Sequence, residues 1–536
     1  MPCLLKTDQI DKSTGMKKKD LKTYMDRSAG ILLHISSLPG DFGIGQIGQE
    51  AHNFLSFLKE AGQTYWQFLP LGPISPAYGN SPYMSPSALA GNPLFIDING
   101  LIRGGLLKKN EIPEPPAFSE YSVDYPQVST YQLRLLKMAF NKARNSKLWQ
   151  TEGWAEQVEN LLQENGWVHD YALFMALKEK FQEKAWYEWP EKIAAREDRA
   201  MAQVQEELRE EILFHLFCQV VFNIQWQELR EKATGLGIRL FGDMPIYVSP
   251  DSADVWANQE AFDLHPKTRQ PRFIAGVPPD YFSKTGQRWG NPLYRWKVSG
   301  RPNKALYHWW TDRFKRLKQL VDAVRIDHFR GFESYWKIPA SEETAINGKW
   351  VKGPGKQFFK AMQPAIEEIE IIAEDLGTIT PEVQSLREGL GFPGMKVLLF
   401  AFDSDSKNLY LPHNFENSNF VVYTGTHDNS TAVGWFMDPT VSQWAKDRAK
   451  RYANSDGSRI HWDLIRLAYS SVARIAMVPM QDVLGFGDDC RMNTPSMRDG
   501  NWRWRLSRRF LTLEVAGALL SEADFYNRIP KTSLDN

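Results

Sequence analysis

The chain has 536 residues, 43% of them hydrophobic, enough to bury a large core as about three domains or as one barrel with insertions. Sixty-four Lys plus Arg balance sixty-four Asp plus Glu, which excludes the overall field that would recruit nucleic acid or an anionic membrane. Cys3, Cys218 and Cys490 lie far apart without a CxxC spacing, and no apolar run approaches the ~18 residues of a membrane span, so a reducing cytoplasm is expected and neither a disulfide framework nor a zinc site is indicated.

Residues 1–28, with Asp8, Asp11 and Lys17-Lys18-Lys19, read as a polar tail. Gly30–His34 is the first strand expected, Glu50–Ala61 a helix stopped by Gly62, and Tyr65–Leu69 a second strand. Strand, helix and strand in that space make a βαβ unit with a right-handed crossover. The stretch Gly72–Tyr83 is rich in turn formers and aromatics; it suits either a substrate platform at a strand end or a rigid Ω-loop packing its own tyrosines. Residues 101–210 read as helices with charged faces, for example Trp167–Lys180 and Ala194–Glu211, inserted between the second and third strands.

Strand rhythm resumes at Ile238–Ile246, an apolar run ending in Asp243. After a loop-rich segment, Ser249–Gly300, come four further runs: Ala323–Asp327, Ile369–Glu374, Met395–Phe402 and Phe420–Tyr423, the last leading into Thr424–Asn429. Ile475–Pro479 is the eighth strand. Eight alternating β and α units predict a (β/α)8 TIM barrel, with Asp243, Asp327, Glu374 and Asp428 at successive strand ends. An open doubly wound sheet is the alternative, but no Gly-rich phosphate loop follows the first strand.

Alternation along Ala323–Asp327 puts Arg325 and Asp327 on one face, and the guanidinium is expected to lower the acid's pKa and keep it charged, as a nucleophile requires. Glu374 shares a face with Ile372, and an apolar surround raises a carboxyl pKa, as a proton donor requires. One ionised and one neutral carboxyl at about 5–5.5 Å are what retaining glycoside cleavage needs. Asp428 could hold adjacent sugar hydroxyls, with His328 and His427 as neighbouring donors. Each acid taken singly is as well explained by a structural strand end. A metal reading of His34, His328, His427 and the acids lacks the paired-His spacing of hydrolytic sites.

These motifs resemble a known family. Leu38-Pro39-Gly40, Ser81-Pro82-Tyr83, Gly242–Val248, Arg288–Tyr294, Arg325–Gly331, Ala373–Gly377, Thr426–Asn429 and Asn501–Arg505, in order from about residue 29 to 506, are similar to stretches of the 4-α-glucanotransferases, also called amylomaltases or disproportionating enzymes, relatives of the α-amylases. The resemblance implies a catalytic barrel over 29–506, with insertions at about 72–210 (helical) and 249–300 (substrate-covering loops) at its C-terminal face. It implies no C-terminal β-sandwich, only a helix and tail over 507–536. By motif it makes Asp327 the nucleophile, Glu374 the acid/base and Asp428 the transition-state stabiliser. It assigns Arg325, His328, His427 and Asp243 to the innermost sugar, Ser81 and Tyr83 to the same substrate site with Tyr83 stacking on the ring cleaved, and Tyr78 to an outer glucan groove. Trp289, Pro279 and Asp280 would cover the acceptor side, and Asn493 would touch substrate. No metal or organic cofactor is implied. The expected partners are maltooligosaccharides, starch or glycogen chains, with glucose also an acceptor.

The expected reaction is transfer of a 4-α-glucan segment to the 4-hydroxyl of another chain through a covalent glycosyl-aspartate. Covered, aromatic-lined acceptor loops favour a sugar hydroxyl over water. The alternatives are an α-glucan hydrolase and a non-catalytic glucan-binding protein.

Overall fold

The computed structural model describes residues 27–146, 152–279 and 283–529. Asp280, Cys3 and all but the end of the expected N-terminal tail lie outside them. Eight strands form one sheet: β1 (Ser28–Leu32), β2 (Tyr65–Gln67), β3 (Arg239–Met244), β4 (Ala323–Ile326), β5 (Glu370–Ala373), β6 (Gly394–Val397), β7 (Phe420–Tyr423) and β8 (Ile475–Pro479). Its order is β5-β4-β3-β2-β1-β8-β7-β6, with every neighbouring pair parallel. The amide of Ala373 donates to the carbonyl of Pro393 at 2.9 Å, joining the ends of the order into a barrel. Helices clothe it from outside, so the strands are buried on both faces and read as near-continuous apolar runs.

The barrel interior departs from an all-aliphatic filling. At its N-terminal end Glu370 accepts from Tyr65 Oη at 2.9 Å and pairs with Arg239 at 3.0 Å. Gly30 makes room for that layer: a Cβ there would meet Tyr65 Cβ at 2.6 Å and Met477 Cε at 2.9 Å. Strand alternation carries this face upward from Arg239 through Phe241 to Asp243, and from Ala323 through Arg325 to Asp327. The register Asp243↔Arg325 sets the first acid beside the buried cation, and Ala373↔Ile326 makes Glu374 and Asp327 neighbours on adjacent strands.

Several expectations need correction. The acids do not stand at successive strand ends, because β6 carries none and Asp428 follows β7. No α-helix links β6 to β7; short 3-10 turns at Leu398–Phe400 and Pro412–Asn414 stand there, and the first ends the expected strand Met395–Phe402 at Val397. The expected helix Ala194–Glu211 is broken, with Asp198–Glu207 separate from the long helix Arg209–Leu236 and Arg196 in the left-handed region at φ 57°.

The segment Ser249–Gly300 is more than loop. Phe273–Val277 and Gln287–Pro292 join Ser334–Pro339 and Lys349–Lys352 in a four-stranded antiparallel rim sheet. At the other end Arg528, fully buried, donates to the carbonyls of Ser28, Ala468 and Tyr469 at 2.8–3.0 Å and ties the C-terminal helix Leu513–Phe525 to the barrel floor. No helix among the described residues is long and apolar enough to cross a membrane.

Candidate active site

Arg325 organises the C-terminal mouth of the barrel. Its Nε donates to Asp243 Oδ2 at 2.9 Å and its Nη2 to Asp327 Oδ1 at 2.7 Å, so one guanidinium serves two carboxylates with a charge-assisted bond to each. The side chain of Asp243 is wholly enclosed, and burial raises its pKa against the opposing pull of Arg325 and Tyr83. Its Oδ1 is buried with no partner among the described residues.

Asp327 corrects an expectation. Burial pushes its pKa up to about 6, and Asp243 and Asp428 add to that rise, while Arg325 pulls it down without reversing it. Its side chain keeps 30% of its surface open to the cleft, so water offsets part of the burial.

Glu374 is held from both ends. Its Oε2 accepts the backbone N–H of His328 at 2.7 Å and its Oε1 that of Leu376 at 2.9 Å. Those bonds favour the charged form, yet burial first, and the Asp327 carboxylate second, push the pKa up to about 7. The surround is therefore polar and charged where the sequence suggests an apolar one, and the rise comes from enclosure beside a second acid.

Asp428 and His427 lie on the turn after β7. Asp428 Oδ1 accepts from Asn493 Nδ2 at 2.7 Å and stands 3.3 Å from His427 Nε2. Tyr83 bridges this side to Asp243: its hydroxyl donates to Asp243 Oδ2 at 2.8 Å and lies 2.8 Å from His427 Nε2. Because the hydroxyl proton is spent on the carboxylate, Nε2 carries the imidazole proton and donates to Tyr83. Burial lowers the pKa of His427 and keeps it neutral. The two rings stack at 5.3 Å, with Trp502 5.8 Å from Tyr83.

His328 adopts the left-handed region at φ 51°, and its amide donates to Glu374. Burial lowers its pKa to about 3, so it is neutral, and its Nε2 is buried with no partner among the described residues. The Trp289 ring meets it edge-on at 4.8 Å. Ser81 Oγ accepts the amide of Tyr83 at 3.3 Å and so sets the base of that ring. Tyr78 stands apart, with Ser249, Asp251 and Tyr187 as its polar neighbours. Pro279 is exposed at the end of the described rim sheet.

One residue near the site, Arg491, had no sequence signal. Arg491 donates to the carbonyls of Asp428 at 2.7 Å and Asn493 at 2.8 Å, and to Ser430 Oγ at 3.2 Å, clamping the Asp428 turn to the segment that carries Asn493. His34, proposed above only as a metal ligand, lies buried beside His427 and packs edge-on against Phe95 at 5.5 Å. No group of three or more His, Cys, Asp or Glu among the described residues is arranged to hold a metal ion.

The chain as a whole has known counterparts. The family model described as 4-alpha-glucanotransferase matches residues 33–512. A 4-alpha-glucanotransferase of Synechocystis is 48% identical over 508 residues, covering 94% of this chain and 98% of that protein. One of Thermus thermophilus is 46% identical over 513 residues, covering 94% of this chain and all of that protein. Among solved structures, amylomaltase from Streptococcus agalactiae in complex with acarbose superposes with a TM-score of 0.86 at 38% identity, covering 94% of this chain and 99% of that one.

Proposed function

This chain belongs to the 4-alpha-glucanotransferase family and is a glycosyltransferase acting on α-1,4-glucans, and we propose that it works by a retaining double displacement with Asp327 as nucleophile and Glu374 as acid/base. In the first step an Asp327 carboxylate oxygen attacks the anomeric carbon, the glucosidic C–O bond breaks, and the leaving 4-oxygen takes the Glu374 proton. In the second, Glu374 takes the proton of an incoming 4-hydroxyl, whose oxygen attacks the same carbon and releases Asp327. Two inversions retain the α configuration.

The single observation that carries this assignment is the pair itself. Register and backbone bonds bring two carboxyls to adjacent strand ends, where burial raises both, Asp327 to about 6 and Glu374, beside the Asp327 carboxylate, to about 7. Asp428, with His427 and Asn493, is assigned to the hydroxyls of the sugar whose ring flattens in the transition state. Arg325, Asp243 and His328 bind that sugar from the other side, with unused acceptor and donor atoms at Asp243 Oδ1 and His328 Nε2. Tyr83, set by Ser81, stacks on it. Trp289, with Pro279, covers the acceptor side, and Tyr78 serves an outer groove.

The donor is a maltooligosaccharide, starch or glycogen chain, and the acceptor a glucan or glucose. We assign residues 29–506 to the catalytic unit, with insertions at 72–210 and 249–300, and 507–536 to a C-terminal helix and tail. The free thiols of Cys218 and Cys490 support a reducing, cytoplasmic setting. Incubation with pure maltotriose tests the reaction: glucose plus a ladder of longer chains is expected, and glucose with maltose alone would mark a hydrolase.

A further inference from the structure

The barrel closes where β5 meets β6, and a side chain takes part in the closure. The two strands stand at the ends of the sheet order, bridged by the bond from the Ala373 amide to the Pro393 carbonyl. In a regular parallel ladder the Met395 amide would then return a bond to the Ala373 carbonyl. It donates instead to Asp375 Oδ1 at 2.7 Å, so a carboxylate takes the place of a backbone rung. Gly394 makes room for it: a Cβ there would meet Asp375 Oδ2 at 2.5 Å.

Asp375 directly follows Glu374, and alternation sends the two carboxyls to opposite sides. Glu374 enters the mouth of the barrel, while Asp375 meets the outer helix Pro381–Gly389. That helix carries Arg387, buried to 4% side-chain exposure, whose Nε lies 3.1 Å from Asp375 Oδ2. The same guanidinium donates to the carbonyl of Phe392, at the entry to β6, at 3.3 Å. One buried cation therefore grips both sides of the seam. Burial raises the Asp375 pKa, and Arg387 and then the Met395 amide pull against the rise.

The consequence falls on Glu374. On one edge its amide is held by the Ile326 carbonyl of β4 at 3.0 Å, and its Oε1 accepts the Leu376 amide at 2.9 Å. Asp375 lies between those two amides, so the direction of the Leu376 N–H depends on where the Asp375 backbone is held. The Asp375 side chain holds it from the β6 edge, two residues past the Ala373 bond. Resting on the reading of Glu374 as acid/base, we propose that Asp375 is a positioning residue for that acid: its carboxylate closes the β5–β6 seam and so aims the Glu374 proton at the glucosidic oxygen. Asp327, Arg325 and Asp243 are built on β3 and β4, and Asp428 on the turn after β7, so opening the seam impairs protonation of the leaving group and spares the attack.

The test compares two donors on the full chain: maltotriose, whose leaving oxygen needs a proton, and α-maltotriosyl fluoride, whose leaving fluoride does not. Initial release of glucose or fluoride gives a kcat/KM that reports the first displacement alone. Asp375→Asn keeps the size but has one oxygen where two are used. It should lower kcat/KM for maltotriose about tenfold, through kcat, with the fluoride donor within about twofold. Gly394→Ala presses on the same carboxylate from the other strand and should reproduce the split, which keeps the test decisive if the Asn variant does not fold. Equal losses with both donors would overturn the positioning role and leave Asp375 a structural residue, and unchanged maltotriose rates would overturn it too. Glu374→Gln is the reference: it should lose maltotriose and keep the fluoride, and equal loss of both donors there would overturn the acid/base reading instead.

Discussion

Glu374 Oε2 accepts the backbone N–H of His328 at 2.7 Å, which fastens one carboxyl to the residue that follows the other, Asp327. The two acids cannot drift apart without breaking that bond or the ladder bond from the Glu374 amide to the Ile326 carbonyl, 3.0 Å. Their spacing is thus a backbone property, and their charges are set by enclosure beside Arg325 and beside each other.

The rate should follow a narrow bell in pH. Activity requires Asp327 ionised and Glu374 protonated, so kcat/KM falls below about pH 6 as the nucleophile gains a proton and above about pH 7 as the donor loses one. The limbs belong to the pair. Arg325→Lys removes the fork that holds two carboxylates, and its acidic limb should move to higher pH in an initial-rate profile; an unmoved limb would contradict the role given to Arg325.

Burying Asp327 has a stability signature with a definite sign. Its folded pKa lies above the ordinary carboxyl value, so its contribution is favourable below that ordinary value and is lost as pH rises through about 6. Asp327→Asn should therefore be more stable than the unmodified protein at pH 8, by about 1–2 kcal/mol, with the gain gone at pH 4. Scanning calorimetry at the two pH values reads the difference, while transfer activity vanishes.

The Tyr83 hydroxyl is asked to bridge Asp243 and His427. Tyr83→Phe leaves both buried groups short of a partner, and kcat/KM should drop by about 10- to 100-fold with the fold retained. A loss confined to KM would mean that the ring stacks while the hydroxyl does nothing for the transition state.

Arg491 acts through Asp428 and Asn493, so it is a positioning residue. Arg491→Lys keeps the charge and loses the three-point clamp; kcat should fall about tenfold with KM for maltotriose within about twofold. A change in melting temperature without a change in kcat would assign Arg491 to stability alone.

Much of this architecture could be read from the residues because parallel barrel strands, covered on both faces, leave continuous apolar runs. Phe420–Tyr423 and Ile475–Pro479 are strands to the residue for that reason. The rim sheet escaped notice because its strands, such as Gln287–Pro292 and Lys349–Lys352, mix Gly, Pro and charges and lack a period-2 apolar signal. The Arg325–Asp327 pair is a local feature, legible from alternation. The rise of the Asp327 pKa is not, since it depends on burial and on Asp243 and Asp428, 84 residues before it and 101 after it in the sequence. Arg491 belongs to no recognisable pattern; only the folded chain places it against the Asp428 turn.

The most direct test is to catch the covalent intermediate. With Glu374→Gln and an α-glucosyl donor whose leaving group needs no proton, the first displacement should proceed and the second stall. Mass spectrometry of the digested protein should then find one glycosyl unit on the peptide bearing Asp327, released when a small external nucleophile is added. An adduct on any other carboxylate, or none while the unmodified protein builds its maltotriose ladder, would contradict the account.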